Sequence, residues 1–336
     1  MKLLNTSILL FTIISCHAQI DDELAPSEPE LQRISYVSGL DGIERDYFLY
    51  LPRGYYNDSA QKWPVVLHLH GNGERGNGKE DLMWVTKHGP LMEAWIQKRD
   101  FPFILIVPQL HMLGMDTIKD YITTRDTSTI PKRLLEGVPE RTAIGNISSY
   151  RDPKPSSLPY PKEGNIRGWY LVENDLIEIV EDIQQNYRGD VNKTYLTGLS
   201  YGGFGTWYMA SSHPNTFAAI APVCGGLQSY NIQQSAQVLN DTPIYAVHGA
   251  NDAILPVSMS RTSVKACNSV ERTKYAGEIV YVEVENAAGS DYGWQATNDL
   301  ASLHMEGHAS WITAYYPEGE TFVPGELPPL YTWFLR

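Results

Sequence analysis

The fold of this chain is decided near its middle, by the stretch TYLTGLSYGGFGTWYMASS at residues 194–212. The stretch starts with residues typical of a strand, continues with the pattern G-x-S-x-G from Gly198 to Gly202, and ends in a helical pattern. A strand that turns sharply into a helix over a serine is a nucleophile elbow, in which glycines two positions before and after the serine prevent collisions with neighbouring backbone. We therefore predict that Ser200 is a nucleophile. The alternative is a serine in a glycine-rich loop.

Short apolar runs on both sides of this stretch predict further strands. They cover residues 34–37, 47–51, 64–70, 103–107, 217–222, 243–247 and 278–284. Runs that are apolar on both faces are typical of parallel strands covered by helices on both sides. Residues 171–187 have the apolar spacing of one such helix. Strands and helices that alternate over about 280 residues predict a single α/β domain with a doubly wound, mostly parallel sheet.

The overall composition excludes several classes of function. The chain has 336 residues, 43% hydrophobic and 19% charged, which is typical of a globular protein and not of a disordered chain or a coiled coil. Lys and Arg number 26 against 39 Asp and Glu, a net charge of −13. This acidic balance, without any basic run, argues against binding to nucleic acid or to anionic lipid. The spacing of cysteines and histidines does not match a zinc site, and we expect no metal and no cofactor.

The first residues are predicted to form a secretory signal. Lys2 gives a positive start, and the apolar run at residues 8–14 is too short to span a bilayer. Cleavage after Ala18 would make residues 1–18 the signal peptide and leave a free secreted protein. A buried N-terminal strand is the alternative.

A second interpretation places a lipid at the N-terminus. The residues before Cys16 resemble a bacterial lipobox, which would make residues 1–15 the signal and Cys16 the acylated first residue. In both interpretations, residues 19–32 form a linker rich in Pro, Glu and Ser, and the catalytic domain is expected over residues 33–336. The protein is then expected to be secreted, periplasmic or a lipoprotein of the cell surface. A lipid on Cys16 is the membrane contact that the sequence suggests.

Two cysteines lie inside the predicted domain. Outside the cytoplasm, Cys224 and Cys267 either form one disulfide or remain two separate buried thiols. The sequence leaves both open.

A serine hydroxyl needs a base that removes its proton, and the chain has nine histidines. His308 is the best candidate, because it lies in EGHASW at residues 306–311, after the last apolar run and before a predicted helix. His304 is the rival, four residues earlier. His68 and His248 lie on or at the end of predicted strands and are interpreted as residues at the edge of the core.

The third member of such a site is a buried carboxylate that orients the imidazole. Asp252 follows a predicted strand in VHGAND at residues 247–252. Its structural alternative is an N-cap aspartate of the next helix. The order along the chain is then Ser200, Asp252, His308, which is the order in α/β-hydrolases.

Ester or amide cleavage by a serine also needs donors for the developing oxyanion. One is expected to be the backbone N–H of Tyr201, the residue after the nucleophile. The second is expected from the sequence HGNG at residues 70–73, which ends an early buried strand. We predict the N–H of Asn72, with Gly71 and Gly73 as neighbouring alternatives.

These segments together resemble a known family. The sequence HGNGERG is similar to the oxyanion segment of secreted bacterial α/β-hydrolases described as predicted peptidases or esterases, which are relatives of feruloyl and acetyl esterases and of polyhydroxybutyrate depolymerases. Residues similar to the family's oxyanion segment, elbow, acid loop, histidine loop and closing helix are 70–76, 200–207, 248–252, 307–311 and 330–333. The resemblance implies an α/β-hydrolase fold and ester hydrolysis through an acyl-serine, without a cofactor. It also implies feruloyl or acetyl groups on plant or algal polysaccharides as substrates.

The resemblance covers roughly residues 35–336, with two departures. Long segments at residues 111–168 and 286–304 lack a regular pattern and are predicted to be lids or substrate walls. Aromatic side chains in or near them are candidates for stacking on sugar or phenolic rings, or for packing beneath the loops: Tyr121, Tyr150, Tyr160, Trp169, Tyr170, Tyr292 and Trp294. Two other functions remain open, a serine peptidase of the prolyl-oligopeptidase type and a non-catalytic glycan-binding protein. The sequence does not predict the oligomeric state.

Overall fold

A computed structural model gives the structure of the chain. It describes residues 25–117, 122, 124–135, 168–277, 279–285, 287, 307–315 and 329–336. The predicted signal with Cys16, the rival His304 and most of the two long segments lie outside the described residues. Among the described helices, none is long and apolar enough to cross a membrane.

Eight strands of the described residues form one sheet. They are β1 (Glu30–Val37), β2 (Glu44–Leu51), β3 (Trp63–Leu69), β4 (Ile104–Pro108), β5 (Gly189–Leu199), β6 (Ala219–Val223), β7 (Tyr245–Gly249) and β8 (Val280–Val284). Their order across the sheet is β1-β2-β4-β3-β5-β6-β7-β8. Strand β2 runs antiparallel to its neighbours β1 and β4, and the pairs from β4 to β8 are all parallel. The predicted doubly wound, mostly parallel sheet is therefore confirmed.

Helices follow the parallel strands. The described α-helices are α1 (Glu173–Asn186), α2 (Tyr201–Ser212), α3 (Ile232–Val238), α4 (Ser258–Asn268), α5 (Trp311–Tyr315) and α6 (Pro329–Phe334). Shorter 3-10 segments cover Asn72–Glu74, Glu80–Thr86, Met115–Thr117, Thr127–Thr129, Trp169–Val172 and Leu239–Asp241, and a π-helical turn covers Met92–Ile96.

The core lies on both faces of the sheet. Alternate residues of a strand point to opposite faces, and β3 shows this directly. Val65 and Leu67 belong to one buried cluster together with side chains of α1 to α4. Val66 belongs to a second cluster, with side chains of α5 and α6. Burial on both faces explains why the strands appear in the sequence as continuous apolar runs.

The sequence patterns located every strand but not every boundary. The predicted strand at residues 194–196 lies in the second half of β5, which begins five residues earlier. The prediction missed the first half because Asp190, Asn192 and Lys193 are polar. Helices α3 and α4 had no prediction, since small and polar residues interrupt their apolar spacing.

The two cysteines inside the domain are separate thiols. Both Cys224 and Cys267 are free and buried. They belong to different core clusters, on opposite faces of the sheet. Of the two alternatives left open by the sequence, the structure has the pair of buried thiols.

Candidate active site

The carboxyl ends of neighbouring parallel strands lie at one edge of the sheet, where α/β proteins bind ligands. Ser200 follows the last residue of β5, and Asp252 comes three residues after the end of β7. His308 lies beyond β8, shortly before α5. All three residues therefore lie at the edge of the sheet formed by the carboxyl ends of the parallel strands.

Ser200 occupies a strained turn between β5 and α2. Its backbone angles are φ 53° and ψ −112°, a left-handed conformation that costs energy for any residue with a side chain. The turn is held by backbone hydrogen bonds: the Ser200 N–H donates to the carbonyl of Val223 at 3.0 Å, and the Phe204 N–H donates to the carbonyl of Ser200 at 3.1 Å. Such strain is typical of functional sites, where the surrounding structure holds one side chain in position.

The glycines of the elbow allow β5, α2 and β3 to approach closely. A Cβ atom on Gly202 would lie 1.8 Å from the carbonyl oxygen of Leu69. A Cβ atom on Gly198 would lie 2.4 Å from the carbonyl oxygen of Gly202. These contacts are with backbone atoms, which cannot rotate away, so both positions require glycine.

The three predicted triad residues are in hydrogen-bond contact. His308 Nε2 lies 2.8 Å from Ser200 Oγ, and His308 Nδ1 lies 2.8 Å from Asp252 Oδ2. His308 is 5% exposed, and the ring of Trp311 packs edge-on against its imidazole at 5.2 Å between centroids. The imidazole is thus fixed between an oxygen that can lose a proton and a carboxylate that orients the ring.

The Asp252 carboxylate is buried and held on both oxygens. Its Oδ1 accepts the backbone N–H groups of Ile254 at 2.9 Å and Leu255 at 2.8 Å, while Oδ2 faces His308. Burial raises the pKa of Asp252, but the neighbouring His308 and His248 outweigh burial, and the pKa lies below its usual value. The carboxylate is therefore ionised when it contacts the imidazole.

His248 is a second histidine on the same carboxylate, although its sequence position predicted only a residue at the edge of the core. Its Nε2 lies 3.3 Å from Asp252 Oδ2 and 3.0 Å from the carbonyl oxygen of Leu255. Its Nδ1 lies 2.6 Å from Ser260 Oγ, and the Ser260 hydroxyl donates to the carbonyl of Gly225. Both ring nitrogens of His248 thus face oxygen acceptors. The sequence feature that could have indicated this contact is the position of His248, four residues before Asp252.

The loop expected to supply an oxyanion donor lies against the nucleophile. A Cβ atom on Gly71 would lie 3.7 Å from the Ser200 Cβ atom. The same Cβ atom would lie 3.1 Å from a carboxylate oxygen of Glu74, so Gly71 is close to both side chains. Arg75 contacts the side chains of both predicted donor residues, Asn72 and Tyr201. Its Nε donates to Asn72 Oδ1 at 2.5 Å, and its guanidinium lies 4.6 Å from the centre of the Tyr201 ring. Asn72 and Tyr201 stay predictions as oxyanion donors.

In the described part of the segment at residues 111–168, the side chain of Arg125 contacts the loop at residues 70–76, which we call the oxyanion loop. Arg125 donates from one nitrogen to the carbonyls of Gly73 at 2.9 Å and Arg75 at 2.7 Å. Its guanidinium also lies 4.6 Å from the ring centre of Trp84. Arg125 therefore contacts the oxyanion loop, and residues 118–121, 123 and 136–167 lie outside the described residues.

Glu74 is a buried carboxyl inside the oxyanion loop. Its oxygens lie 3.6 Å from His88 Nε2 and 3.9 Å from His70 Nδ1. Burial raises the pKa of Glu74 to about 7, and burial lowers the pKa values of His70 and His88 to about 3. Burial therefore favours the neutral, protonated form of the Glu74 carboxyl.

No group of three or more His, Cys, Asp or Glu side chains within the described ranges could hold a metal ion.

Several known proteins are similar to parts of this chain. Residues 172–285, which include the elbow and Asp252, match the family model described as phospholipase/carboxylesterase. A crystal structure of a thermostable esterase superposes with a TM-score of 0.52 at 21% identity, over 91% of this chain and 62% of that one. The fold is that of an α/β-hydrolase.

Curated relatives match the chain over short segments. A bifunctional acetylxylan esterase/xylanase of Neocallimastix patriciarum is 33% identical over 78 residues, 23% of this chain and 11% of the relative. A poly(3-hydroxyalkanoate) depolymerase of Paucimonas lemoignei is 41% identical over 49 residues, 15% of this chain and 12% of the relative. Feruloyl esterase D of Neurospora crassa is 28% identical over 116 residues, 33% of this chain and 38% of the relative. The matched segments thus span well under half of these relatives.

Proposed function

We propose that this protein is a serine hydrolase that cleaves carboxylic esters through an acyl-serine intermediate. The observation that carries the proposal is the pair of 2.8 Å contacts that joins Ser200, His308 and Asp252. The match of residues 172–285 to the phospholipase/carboxylesterase family supports an ester as the substrate.

The chemistry follows from the positions of the side chains. His308 Nε2 removes the proton of Ser200 Oγ as that oxygen bonds to the ester carbonyl carbon. The backbone N–H groups of Tyr201 and Asn72 stabilise the oxyanion. His308 then gives its proton to the leaving alcohol, which departs and leaves the acyl group on Ser200. A water molecule, deprotonated by His308, attacks the acyl carbon, and Ser200 recovers its proton as the acid leaves. Asp252 holds the imidazole in the tautomer that these steps need.

The substrates are proposed to be feruloyl or acetyl esters on plant or algal polysaccharides. The similarity to an acetylxylan esterase and to a feruloyl esterase supports this class. A poly(3-hydroxyalkanoate) depolymerase is also among the relatives, which makes a polyester the second candidate.

The test is a substrate panel on the wild type and on Ser200→Ala. The panel contains an aryl acetate, methyl ferulate, acetylated xylan, a 3-hydroxybutyrate trimer and a peptide anilide. We expect the wild type to hydrolyse the esters, and Ser200→Ala to lose about 10⁴-fold in kcat. The matched control is Ser258→Ala, which changes an exposed serine at the start of α4. Hydrolysis by Ser200→Ala within tenfold of the wild type, or cleavage of the anilide alone, would overturn the proposal.

The protein is further proposed to act outside the cytoplasm, free or anchored by a lipid on Cys16. The apolar run at residues 8–14 and the residues before Cys16 support this. Labelling cells with a fatty-acid probe should tag the wild type and not Cys16→Ser. A mature protein that begins at Gln19 would instead establish the free form, and a protein that keeps residues 1–15 in the cytoplasm would contradict both forms.

A further inference from the structure

Two adjoining cavities lie along α2. The inner cavity is lined by aromatic rings, those of Trp169, Tyr170, Tyr201, Phe204 and Tyr208. The outer cavity has a volume of about 190 Å³ and is lined largely by uncharged polar side chains, including Ser211, Ser212, Gln228, Asn231, Gln234 and Ser235. Phe204, Tyr208 and Gln228 line both cavities, so the two form one groove. We call it the α2 groove.

The α2 groove extends from the first to the last residue of α2. Tyr201, which lines the inner cavity, follows Ser200 directly in the chain. Ser212 lines the outer cavity at the other end of α2, about 16 Å farther along the helix axis at 1.5 Å per residue. An occupant of the whole groove must therefore be an extended molecule, longer than an acetyl or feruloyl group held at Ser200.

The lining of the α2 groove selects a neutral, hydroxyl-rich molecule. Among the described residues that line the two cavities, none is Asp, Glu, Lys, Arg or His. The amides of Gln228 and Gln234 both donate and accept hydrogen bonds, as hydroxyl groups do. Aromatic rings offer flat apolar faces, and pockets that combine such faces with a few polar groups are typical of binding sites.

Asn231 adds a specific requirement for a donor. Its side chain lines the outer cavity, and its Oδ1 atom is buried without a hydrogen-bond partner in the described part of the chain. The side chain also makes no capping bond to α3, although Asn231 precedes that helix. Buried acceptors in folded proteins are almost always paired, so this oxygen is available to a donor that enters the outer cavity. A sugar hydroxyl donates such a bond, whereas the oxygens of a polyester chain only accept.

We propose that the α2 groove binds the backbone of a neutral polysaccharide, with the ester-bearing unit at Ser200 and the following units along α2. The proposal rests on the proposed function in one respect, the position of the ester at Ser200. Sugar rings would contact the aromatic side chains of the inner cavity, and hydroxyl groups would bond to the amides of the outer cavity.

Binding can be tested without catalysis. In the Ser200→Ala protein, titration calorimetry with xylohexaose and laminarihexaose measures the affinity of the groove for unesterified sugar chains. We expect saturable binding of at least one of them. The double variant Gln228→Ala/Gln234→Ala should weaken it tenfold or more. The matched control is Gln233→Ala/Gln237→Ala, two exposed glutamines of α3 that line neither cavity, and it should change the affinity less than twofold.

The outcomes separate this inference from the proposed function. If the wild type hydrolyses esters but neither hexasaccharide binds at millimolar concentration, the groove proposal is wrong and the esterase proposal stands. If both double variants weaken sugar binding equally, the sugar binds outside the α2 groove and the groove proposal is wrong. Saturable binding of a 3-hydroxybutyrate trimer without binding of either sugar would assign the groove to polyester. Loss of ester hydrolysis in every assay would remove the proposed function, while sugar binding to the Ser200→Ala protein would still report on the groove.

Discussion

His248 lies 3.3 Å from the same Asp252 oxygen that accepts the hydrogen bond of His308. The other oxygen of Asp252 accepts two backbone N–H groups from the loop that follows β7. The carboxylate is therefore held from several directions and cannot rotate. This constraint determines what substitutions of Asp252 and of His248 should do.

Asp252→Asn should fold but lose about 10⁴-fold in kcat. The backbone N–H groups of Ile254 and Leu255 would keep the amide oxygen on their side, so the amide NH₂ would face His308. A donor facing Nδ1 forces the proton onto Nε2, where His308 can no longer accept the proton of Ser200. Steady-state kinetics with an aryl acetate and a thermal unfolding curve measure the two effects. A variant with near-normal kcat would mean that another carboxylate orients the imidazole.

His248→Leu should lower kcat by about 10- to 100-fold with little change in KM, because it removes a hydrogen bond to a charged group. His248→Gln, whose amide can replace the Nε2–H donor, should recover most of the loss. His68→Leu is the matched control: His68 is also a buried strand histidine, and its ring nitrogens lack hydrogen-bond partners among the described residues. It should leave kcat within threefold of the wild type. Equal kcat losses for His68→Leu and His248→Leu would indicate a general packing effect.

Glu74→Gln should change how stability depends on pH. The folded-state pKa of Glu74 is raised by burial to about 7 from its ordinary 4.5, so between these values the unfolded chain releases a proton that the folded chain keeps. The wild type therefore loses stability as pH rises through this window, by roughly 3 kcal/mol when complete. Urea unfolding at pH 4 and pH 8 should show that Glu74→Gln gains stability over the wild type only at pH 8. An identical difference at both pH values would contradict the raised pKa.

Gly202→Ala should destabilise the fold by roughly 3 kcal/mol or more, because its Cβ atom would overlap the backbone oxygen of Leu69. The end of β3 and the start of α2 would have to separate, which also moves Ser200. Gly73→Ala is the comparison for stability, since a Cβ atom there meets no atom within 4 Å. Thermal unfolding of both variants measures the difference. Equal melting temperatures would show that the close contact is not needed.

The sequence predicted the sheet and the triad because both depend on local patterns. Continuous apolar runs mark strands buried on both faces. Ser200 and Asp252 follow two of these strands directly or within three residues, and His308 comes after the last strand, shortly before α5. Ser200 was also marked by glycines whose necessity is visible in the backbone contacts of Gly202. Parallel strands then bring their carboxyl ends to one edge without any further information.

Contacts between distant side chains could not be predicted in the same way. The pairing of His248 with Ser260 and Asp252 depends on how α4 packs against β7. The carboxyl of Glu74 faces His88, and nothing in the spacing of the two residues indicates it. The α2 groove is formed by three separate segments, and its polar residues are typical of any exposed surface. These features exist only in the assembled tertiary structure.

The distance of the triad residues along the chain has a consequence for refolding. Ser200 and His308 are 108 residues apart, and Asp252 and His308 are 56 apart. Contacts between residues so far apart in sequence form slowly, because the entropy of closing long loops opposes them. A chain whose strands and helices have formed, but whose segment around His308 has not docked, would show native-like circular dichroism and an unreactive serine. Covalent labelling of Ser200 by a fluorophosphonate would therefore measure the fraction of molecules with an assembled site during refolding. The delay between the circular dichroism signal and this labelling would give the rate at which the segment around His308 docks.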